Sequence, residues 1–173
     1  MKKLIYYFLI LLVSCINLHA QEDKDKSLVK VDLERGLVNG LTPSTKSDSV
    51  KKFMPFFTGE TEENPDYNCG GGVFYLNNDV YFYTGRDYIE IRAEFNGKIS
   101  HDVLNRNIAD VMRQLGKPDD QVKPKGDDES IMVVYFNKPY GCLRLNYNIS
   151  TGNIYEIGIH SKPIGEAKMD ICF

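Results

Sequence analysis

Residues 131–159 read IMVVYFNKPYGCLRLNYNISTGNIYEIGI, which is a clear strand-and-turn pattern. Three runs in it are apolar or alternate apolar with polar side chains, as β-strands do: Ile131 to Phe136, Cys142 to Tyr147 and Ile154 to Ile159. Residues 139–141 and 150–153 separate these runs and are rich in Pro, Gly, Ser and Asn, which is typical of turns. The stretch therefore predicts an antiparallel meander of three strands.

A helix is predicted before this meander. Four apolar residues recur with helical spacing, which predicts the buried side of a helix: Ile108, Val111, Met112 and Leu115. Asn105 or Asn107 can cap its start, because a short polar side chain there accepts a hydrogen bond from a free backbone N–H. Gly116 and Pro118 end it. A charged loop, Asp119 to Ser130, then leads to the first strand.

The first half of the chain repeats this order. Val50, Phe53 and Met54 share one helical face, and Pro55 ends that helix. Three strand-like runs follow: Gly72 to Leu76, Val80 to Tyr83 and Tyr88 to Phe95. Equivalent positions in the two halves, such as Val50 and Val111, lie about 60 residues apart, as in an internal repeat. Alternatively, two ordinary α+β segments agree by coincidence.

We therefore predict an α+β fold, with two tandem helix-plus-three-stranded-antiparallel-meander units forming one layered domain. The predicted organisation begins with a signal peptide (residues 1–20) and a polar tether (21–40). A first α-β-β-β unit (41–99), a second α-β-β-β unit (100–161) and a C-terminal tail or short helix (162–173) follow. About 153 residues follow the signal peptide, which is enough chain to bury a core without metal or disulfide support.

The N-terminus predicts export. Two lysines precede an uncharged apolar run, Leu4 to Val13, which is long enough for a signal peptide and too short to span a bilayer. Cleavage after Ala20 gives a soluble periplasmic or secreted protein. Alternatively, residues 12–15 form a lipobox, in which Cys15 becomes the lipidated first residue and anchors the protein in a membrane, for instance the outer membrane.

The charge argues against one class of partner. The chain contains 21 basic and 24 acidic residues. Loss of the two N-terminal lysines with the signal peptide leaves a net charge of about −5. A mildly acidic surface of mixed charges argues against nucleic acid or an anionic membrane as the partner.

Three cysteines remain after removal of the signal peptide: Cys69, Cys142 and Cys172. In an oxidising compartment two of them can form a disulfide and one is left over. The sequence does not choose among the three pairings. Alternatively, all three thiols stay reduced and buried, because a free cysteine packs like a small apolar residue.

The second half of the chain carries a family resemblance. The helix end VMRQLGKP at residues 111–118 leads through a loop to VYF at 134–136, LRLNY at 143–147 and GNIYEI at 152–157. This pattern resembles the unit of the SmpA/OmlA (BamE-like) envelope lipoproteins and the tandem units of β-lactamase inhibitory protein. The match, about 50 residues without the expected Trp, specifies fold better than function. It implies protein binding on a sheet face without catalysis.

Aromatic and charged residues on the predicted strands are candidates for a binding face: Tyr81, Tyr83, Tyr88, Glu90, Arg92 and Tyr155. Tyrosine side chains offer large, stiff contact areas with a polar tip, which suits protein binding. Equally, strands favour aromatic residues for core and cross-strand packing. Glu90 and Arg92 either orient a partner's charges or lie on the solvated side of a half-buried strand.

Catalysis is not expected. The sequence contains no recognisable catalytic or cofactor motif, so we predict no catalytic, cofactor-binding or metal-ligating residues. Ser100-His101-Asp102 gathers the residue types of a hydrolase triad, but the members of a triad come from separate segments. His101 and His160 lack the spacing of metal ligands. Residues 127–129 lack the alternating oxygen ligands of a calcium-binding EF-hand.

Together these observations predict an exported, non-catalytic protein-binding module of the bacterial cell envelope. It is either an assembly accessory or an inhibitor or immunity-type protein, and its partner is another protein rather than nucleic acid. The alternative is a periplasmic small-molecule or glycan-binding protein that uses the tyrosines.

Overall fold

The computed structural model describes residues 29–62, 71–124 and 130–168. The strands in these ranges are β1 (Lys30–Asp32), β2 (Leu37–Val38), β3 (Gly59–Thr61), β4 (Gly72–Tyr75), β5 (Val80–Tyr83), β6 (Tyr88–Arg92), β7 (Lys98–Ile99), β8 (Asp120–Val122), β9 (Ile131–Lys138), β10 (Gly141–Asn148) and β11 (Ile154–His160). The helices are α1 (Ser47–Phe53), α2 (Ile108–Leu115) and α3 (Ile164–Ala167). No helix within the described ranges is both long and apolar enough to cross a membrane.

Eight strands form one antiparallel sheet in the order β3-β4-β5-β6-β11-β10-β9-β8. The first and second halves of the chain meet where β6 pairs with β11. In that pair Ile89 lies opposite Ile159, and Ile91 lies opposite Ile157. The pairing joins the strands of both halves into a continuous sheet.

The predicted fold class is wrong. Of the described residues 41% are strand and 17% are helical, so the protein is mostly β rather than α+β. The eight-stranded sheet and a separate three-stranded sheet, β2-β1-β7, replace the predicted pair of helix-plus-meander units. The prediction missed β2, β3, β7 and β8, which contain two or three residues each, too few for a periodic pattern to show in the sequence.

Local hydrogen bonding explains the bounds of α2. The side chain of Asn107 accepts a hydrogen bond from the backbone N–H of Ala109 at 3.0 Å. The helix ends before Gly116, whose φ of +89° few other residues adopt. The N–H of Ile108 donates to the carbonyl of Gly152 at 2.8 Å, which ties the start of the helix to the turn before β11. The predicted helix is confirmed here.

The apolar core lies on one face of the eight-stranded sheet. Buried residues of α1, α2 and the three-stranded sheet belong to the same core cluster, among them Val50, Val111, Val31 and Val38. Residues 29–40, part of the predicted polar tether, therefore pack against the core instead of acting as a tether. The opposite face is partly covered by α3, where Ala167 packs with Val133, Tyr135 and Cys142.

Candidate binding surface on the eight-stranded sheet

Cross-strand pairing gathers aromatic and charged residues on the face opposite the apolar core. One row of directly opposed residues contains Phe74, Tyr81, Glu90, Gly158 and Arg144. A second row contains Tyr83, Tyr88 and His160. Because side chains alternate between faces along a strand, their neighbours two residues away share this face. We call the following set the aromatic face: Phe74, Tyr81, Tyr83, Tyr88, Glu90, Arg92, Arg144, Asn146, Glu156 and His160.

The rings of this face form a stack across three strands. The centroids of Tyr83 and Tyr88 are 4.5 Å apart, and those of Tyr88 and His160 are 4.9 Å apart. Phe74 meets the edge of Tyr83 at 5.6 Å. Burial raises the pKa of Tyr83 to about 12, so its hydroxyl stays protonated at neutral pH. The stack provides a stiff aromatic surface whose tyrosine tips can hydrogen-bond.

Arg144 lies at the centre of a buried charge cluster. Its side chain is 1% exposed, and its Nη2 donates to Glu156 Oε1 at 2.6 Å and to Glu90 Oε2 at 3.4 Å. Asn146 Nδ2 donates to the same Glu156 oxygen at 2.7 Å. Burial lowers the pKa of Arg144, but Glu156, Glu90 and the neighbouring Tyr135 and Tyr88 together raise it more, so the guanidinium keeps its charge. A buried charge of this kind is tolerated only when it is paired and hydrogen-bonded.

Gly158 makes room for this cluster. A β-carbon at this position would lie 2.7 Å from Arg144 Nε and 3.0 Å from His160 Nε2. The first distance is shorter than real contacts allow and the second is tighter than most, so the two polar side chains pass directly over the backbone of Gly158. A side chain here would displace the guanidinium from its carboxylate partners.

Arg92 is the charged residue at the accessible rim of the aromatic face. Its side chain is 44% exposed and donates through both Nε and Nη2 to Glu90 Oε1, each at 2.6 Å. The guanidinium carbon lies 4.2 Å from the ring centroid of Tyr81, a cation–π contact. Three other residues of the aromatic face are half-buried: Phe74, Tyr83 and Glu156, of which Glu156 lies directly opposite Arg92. Arg92 is thus held in one orientation while part of it remains accessible.

The structure brings together five of the six residues predicted for the binding face, and three of these five are buried. Tyr81, Tyr88 and Glu90 have exposed fractions of 9%, 2% and 6%, so they offer a partner little or no surface. Alternation along a strand shows which face a residue occupies, but not how deeply neighbouring strands cover it. Tyr155 lies apart, half-buried at an irregularity in the pairing of β10 with β11.

Sequence reasoning missed four residues of the aromatic face that matter most to its structure: Phe74, Arg144, Glu156 and His160. A signal existed for Arg144, since it is the one charged residue in its strand and is flanked directly by Leu143 and Leu145. Its partners could not be found in the same way. Glu90 is 54 residues away along the chain and reaches Arg144 only through the pairing of β6 with β11.

Several buried polar atoms of the aromatic face have no hydrogen-bond partner among the described residues: Arg144 Nε, Asn146 Oδ1 and both ring nitrogens of His160. Burial lowers the pKa of His160 well below its ordinary value, and the positive charges of Arg144 and Lys162 lower it further. His160 is therefore neutral at neutral pH. Its proton uptake is opposed both by loss of solvent and by a nearby guanidinium.

Of the predicted lipidation and disulfide candidates, one lies within the described residues. Cys142 is a buried free thiol, and burial raises its pKa to about 11. Cys15, Cys69 and Cys172 lie outside the described residues, as do residues 127–129. Across residues 29–62, 71–124 and 130–168, no group of three or more His, Cys, Asp or Glu side chains is arranged to hold a metal ion.

Ser100, His101 and Asp102 do not assemble into a triad. Ser100 Oγ lies 3.1 Å from His101 Nδ1 and also accepts a hydrogen bond from the backbone of Leu33 at 3.0 Å. Asp102 pairs instead with Arg106 through its Oδ2 atom. The carboxylate on the other side of His101 belongs to Glu34, 3.7 Å from Nε2.

Comparison with known proteins gives no relative: no family model matches the chain, and no curated protein or solved structure matches it. The resemblance to BamE-like lipoproteins and to β-lactamase inhibitory protein stays a prediction.

Proposed function

We propose that the protein is an exported, non-catalytic protein-binding module of the bacterial cell envelope, acting as an assembly accessory or as an inhibitor or immunity-type protein. Its contact surface is the rim of the aromatic face: Phe74, Tyr83, Arg92 and Glu156. The observation that carries this proposal is the state of Arg92, which is accessible yet fixed by Glu90 and the Tyr81 ring.

A fixed, accessible arginine among aromatic rings favours binding for an energetic reason. Binding usually costs about 0.5–1.5 kcal/mol for each flexible side chain that becomes ordered. For Arg92 this ordering cost on binding is small, because Glu90 and the Tyr81 ring already hold its side chain in one orientation in the free protein. Arginine and tyrosine are also the residue types that most often dominate the binding energy of protein interfaces.

The buried part of the aromatic face supports the rim. Glu90 holds Arg92 from below, and Arg144 in turn holds Glu90 and Glu156. Buried charge costs free energy, so a chain selected for stability alone gains little from this arrangement. Its position in the centre of the sheet, directly beneath Arg92, supports a role in positioning the rim.

Photo-crosslinking in the producing cells tests this surface. A benzophenone amino acid replaces Phe74 in one variant and Tyr83 in another, and Phe53 serves as the matched control. Phe53 is also aromatic and is 67% exposed, but it lies on α1, outside the aromatic face. We expect one discrete protein adduct from positions 74 and 83 and none from 53. The same adduct from all three positions, or no adduct from the rim, contradicts the proposed surface.

The proposed place of action is tested by intact mass of protein purified from the envelope. A mass that begins at Cys15 with added acyl chains, lost in Cys15→Ala, identifies a membrane-anchored lipoprotein. A mass that begins at Gln21 in both variants identifies a soluble exported protein. A full-length mass in the cytoplasmic fraction rejects export.

A further inference from the structure

The chain contains two Asn–Gly bonds, Asn39–Gly40 and Asn96–Gly97. Such a bond is chemically reactive, because glycine has no side chain to shield its backbone nitrogen from the amide carbon of the preceding asparagine. Attack of that nitrogen closes a five-membered succinimide ring and releases ammonia. Both asparagines are exposed to solvent. The contacts that hold each side chain therefore decide which of the two bonds reacts in the folded protein.

The Asn39 side chain is held away from this reaction. Asn39 and Gly40 form a tight turn that is closed by reciprocal hydrogen bonds between Val38 and Leu41, each at 2.9 Å. Asn39 Oδ1 accepts from the backbone N–H of Lys30 at 2.8 Å, and the Asn39 N–H donates to the Lys30 carbonyl at 2.9 Å. Rotation of the side-chain amide toward Gly40 breaks the first of these two bonds. We expect this to slow the reaction about twofold to tenfold.

The Asn96 side chain is held more weakly. Its Oδ1 atom accepts from Asn78 Nδ2 at 3.3 Å, which is longer than the usual distance of about 2.9 Å. Within the described part of the chain the N–H of Gly97 donates no hydrogen bond, whereas the next one along, that of Lys98, donates to the Val29 carbonyl at 2.8 Å. Loss of one long hydrogen bond therefore lets the Asn96 amide approach the nitrogen of Gly97.

Packing fixes glycine at position 97. A β-carbon there would lie 2.3 Å from the Val29 carbonyl oxygen and 2.4 Å from the Phe95 ring, so any other residue would displace backbone. These contacts lie beside the α-carbon and leave the nitrogen unpaired. At Gly40, by contrast, a β-carbon meets no atom within 4 Å, and only the positive φ favours glycine. The fold thus keeps a reactive Asn–Gly bond directly beside the contact between β1 and β7.

We propose that Asn96 is a site of spontaneous deamidation in the folded protein, and that its conversion to isoaspartate separates β7 from β1. The nitrogen of Gly97 forms a bond to Cγ of Asn96, the Cγ–Nδ2 bond breaks, and Nδ2 leaves as ammonia with the proton of the Gly97 N–H. Water then opens the succinimide. Cleavage of the Cγ–N bond gives aspartate. Cleavage of the backbone C–N bond gives isoaspartate, in which the main chain runs through Cβ and Cγ of residue 96.

Isoaspartate lengthens the main chain by one methylene group directly before β7. The backbone of Gly97 is packed against Val29, to which Lys98 also donates, so an extra atom cannot be inserted without moving the start of β7. Because β1 lies between β2 and β7, loss of β7 leaves β1 paired with β2 alone. Asn96 lies outside the aromatic face. The proposal therefore goes beyond the proposed function, and either can fail without the other.

Peptide mapping by mass spectrometry, before and after storage of the purified protein in mildly alkaline buffer, tests the first half of the proposal. We expect Asn96 to gain the mass difference between asparagine and aspartate about twofold to tenfold faster than Asn39. In urea the two sites should react at similar rates, because only the fold distinguishes them. Asn39 reacting as fast as Asn96 in the folded protein overturns the proposal. So does an Asn96 that stays intact in the folded protein for a period over which it is converted in urea.

Hydrogen exchange of the Lys98 amide tests the second half. In the isoaspartate fraction of stored wild type this amide should exchange about tenfold faster than in fresh protein, because its bond to Val29 is lost. Asn96→Gln is the matched control, because glutamine must form a six-membered ring and reacts much more slowly. Its Lys98 amide should exchange like that of fresh wild type, both before and after storage. Unchanged exchange in the isoaspartate fraction, or the same increase in stored Asn96→Gln, overturns the proposal.

Discussion

The two faces of the eight-stranded sheet are both buried near its centre, but they are filled by opposite chemistry. On one face Ile89, Leu145 and Ile157 pack into an apolar core. On the other face, from the same strands, Glu90, Arg144 and His160 are equally inaccessible. Apolar burial stabilises the fold directly, whereas buried charge only avoids a penalty when every partner is present. The apolar face therefore stabilises the fold, and the charged face is the one that supports the proposed binding surface.

The largest expected effect breaks the charged face. Arg144→Ala leaves Glu90 and Glu156 without their shared partner, and we expect it to lower the free energy of unfolding by about 3–5 kcal/mol. Chemical denaturation followed by circular dichroism measures this loss. Adding Glu90→Gln and Glu156→Gln to Arg144→Met should recover most of it, because no unpaired buried charge then remains and Arg92, which loses its carboxylate partner, is 44% exposed to water. A loss below about 1 kcal/mol in Arg144→Ala would mean that the cluster is solvated in solution.

Gly158→Ala applies a smaller perturbation to the same cluster. The added methyl group collides with Arg144 Nε and His160 Nε2, and overpacking of this kind costs about 1–3 kcal/mol. Gly165→Ala is the control, since a β-carbon there meets no atom within 4 Å. Comparing the denaturation midpoints of the two variants isolates the collision. Equal midpoints would show that the side chains do not cross Gly158.

His160 gives this face a pH dependence that the apolar face lacks. Its pKa is about 6.5 in the unfolded chain and lower in the folded protein, so below pH 6.5 the unfolded state binds the proton first. Stability contributed by His160 is therefore complete above pH 6.5 and falls by about 1.4 kcal/mol per pH unit below it, until the folded pKa is reached. The unfolding free energy of wild type minus that of His160→Phe should therefore decrease, or become more negative, as the pH falls from 7 to 5, because only wild type carries the titrating side chain. A difference that is constant over this range contradicts the burial of His160.

Arg92→Ala should have the smallest effect on stability, because its side chain is accessible and its pair with Glu90 is only partly desolvated. We expect a loss of no more than about 1 kcal/mol by chemical denaturation. Arg113→Ala, at an exposed pair on α2, provides the reference. A loss as large as that of Arg144→Ala would place Arg92 in the structural core rather than at the rim.

The sequence predicted individual elements better than their assembly. The alternation in residues 80–83 and the apolar spacing in residues 108–115 locate β5 and α2, because both signals are local. The three-stranded sheet left no such signal, since its strands are two or three residues long and its β1–β7 pairing spans most of the first half of the chain. Short strands take their conformation from their partners, not from their own residues.

The candidate site was only partly predictable for a similar reason. Strand alternation on two neighbouring strands places five of the predicted residues on one face of the sheet: Tyr81, Tyr83, Tyr88, Glu90 and Arg92. The depth of Tyr88 and Glu90 depends on β11, which covers β6 from a distant part of the chain. Because β6 pairs with β11, it is an inner strand of the sheet and not an edge strand. Glu90, which the sequence pattern also allowed on a solvated side, is therefore buried.

The yield of the crosslinked protein adduct from position 74, measured in the presence and absence of Arg92, tests whether this residue carries partner binding. We expect Arg92→Ala to abolish most of the adduct while the unfolding free energy stays within about 1 kcal/mol of wild type, and Arg113→Ala to leave the adduct unchanged. An undiminished adduct in Arg92→Ala would contradict the claim that this fixed arginine at the rim of the aromatic face carries partner binding.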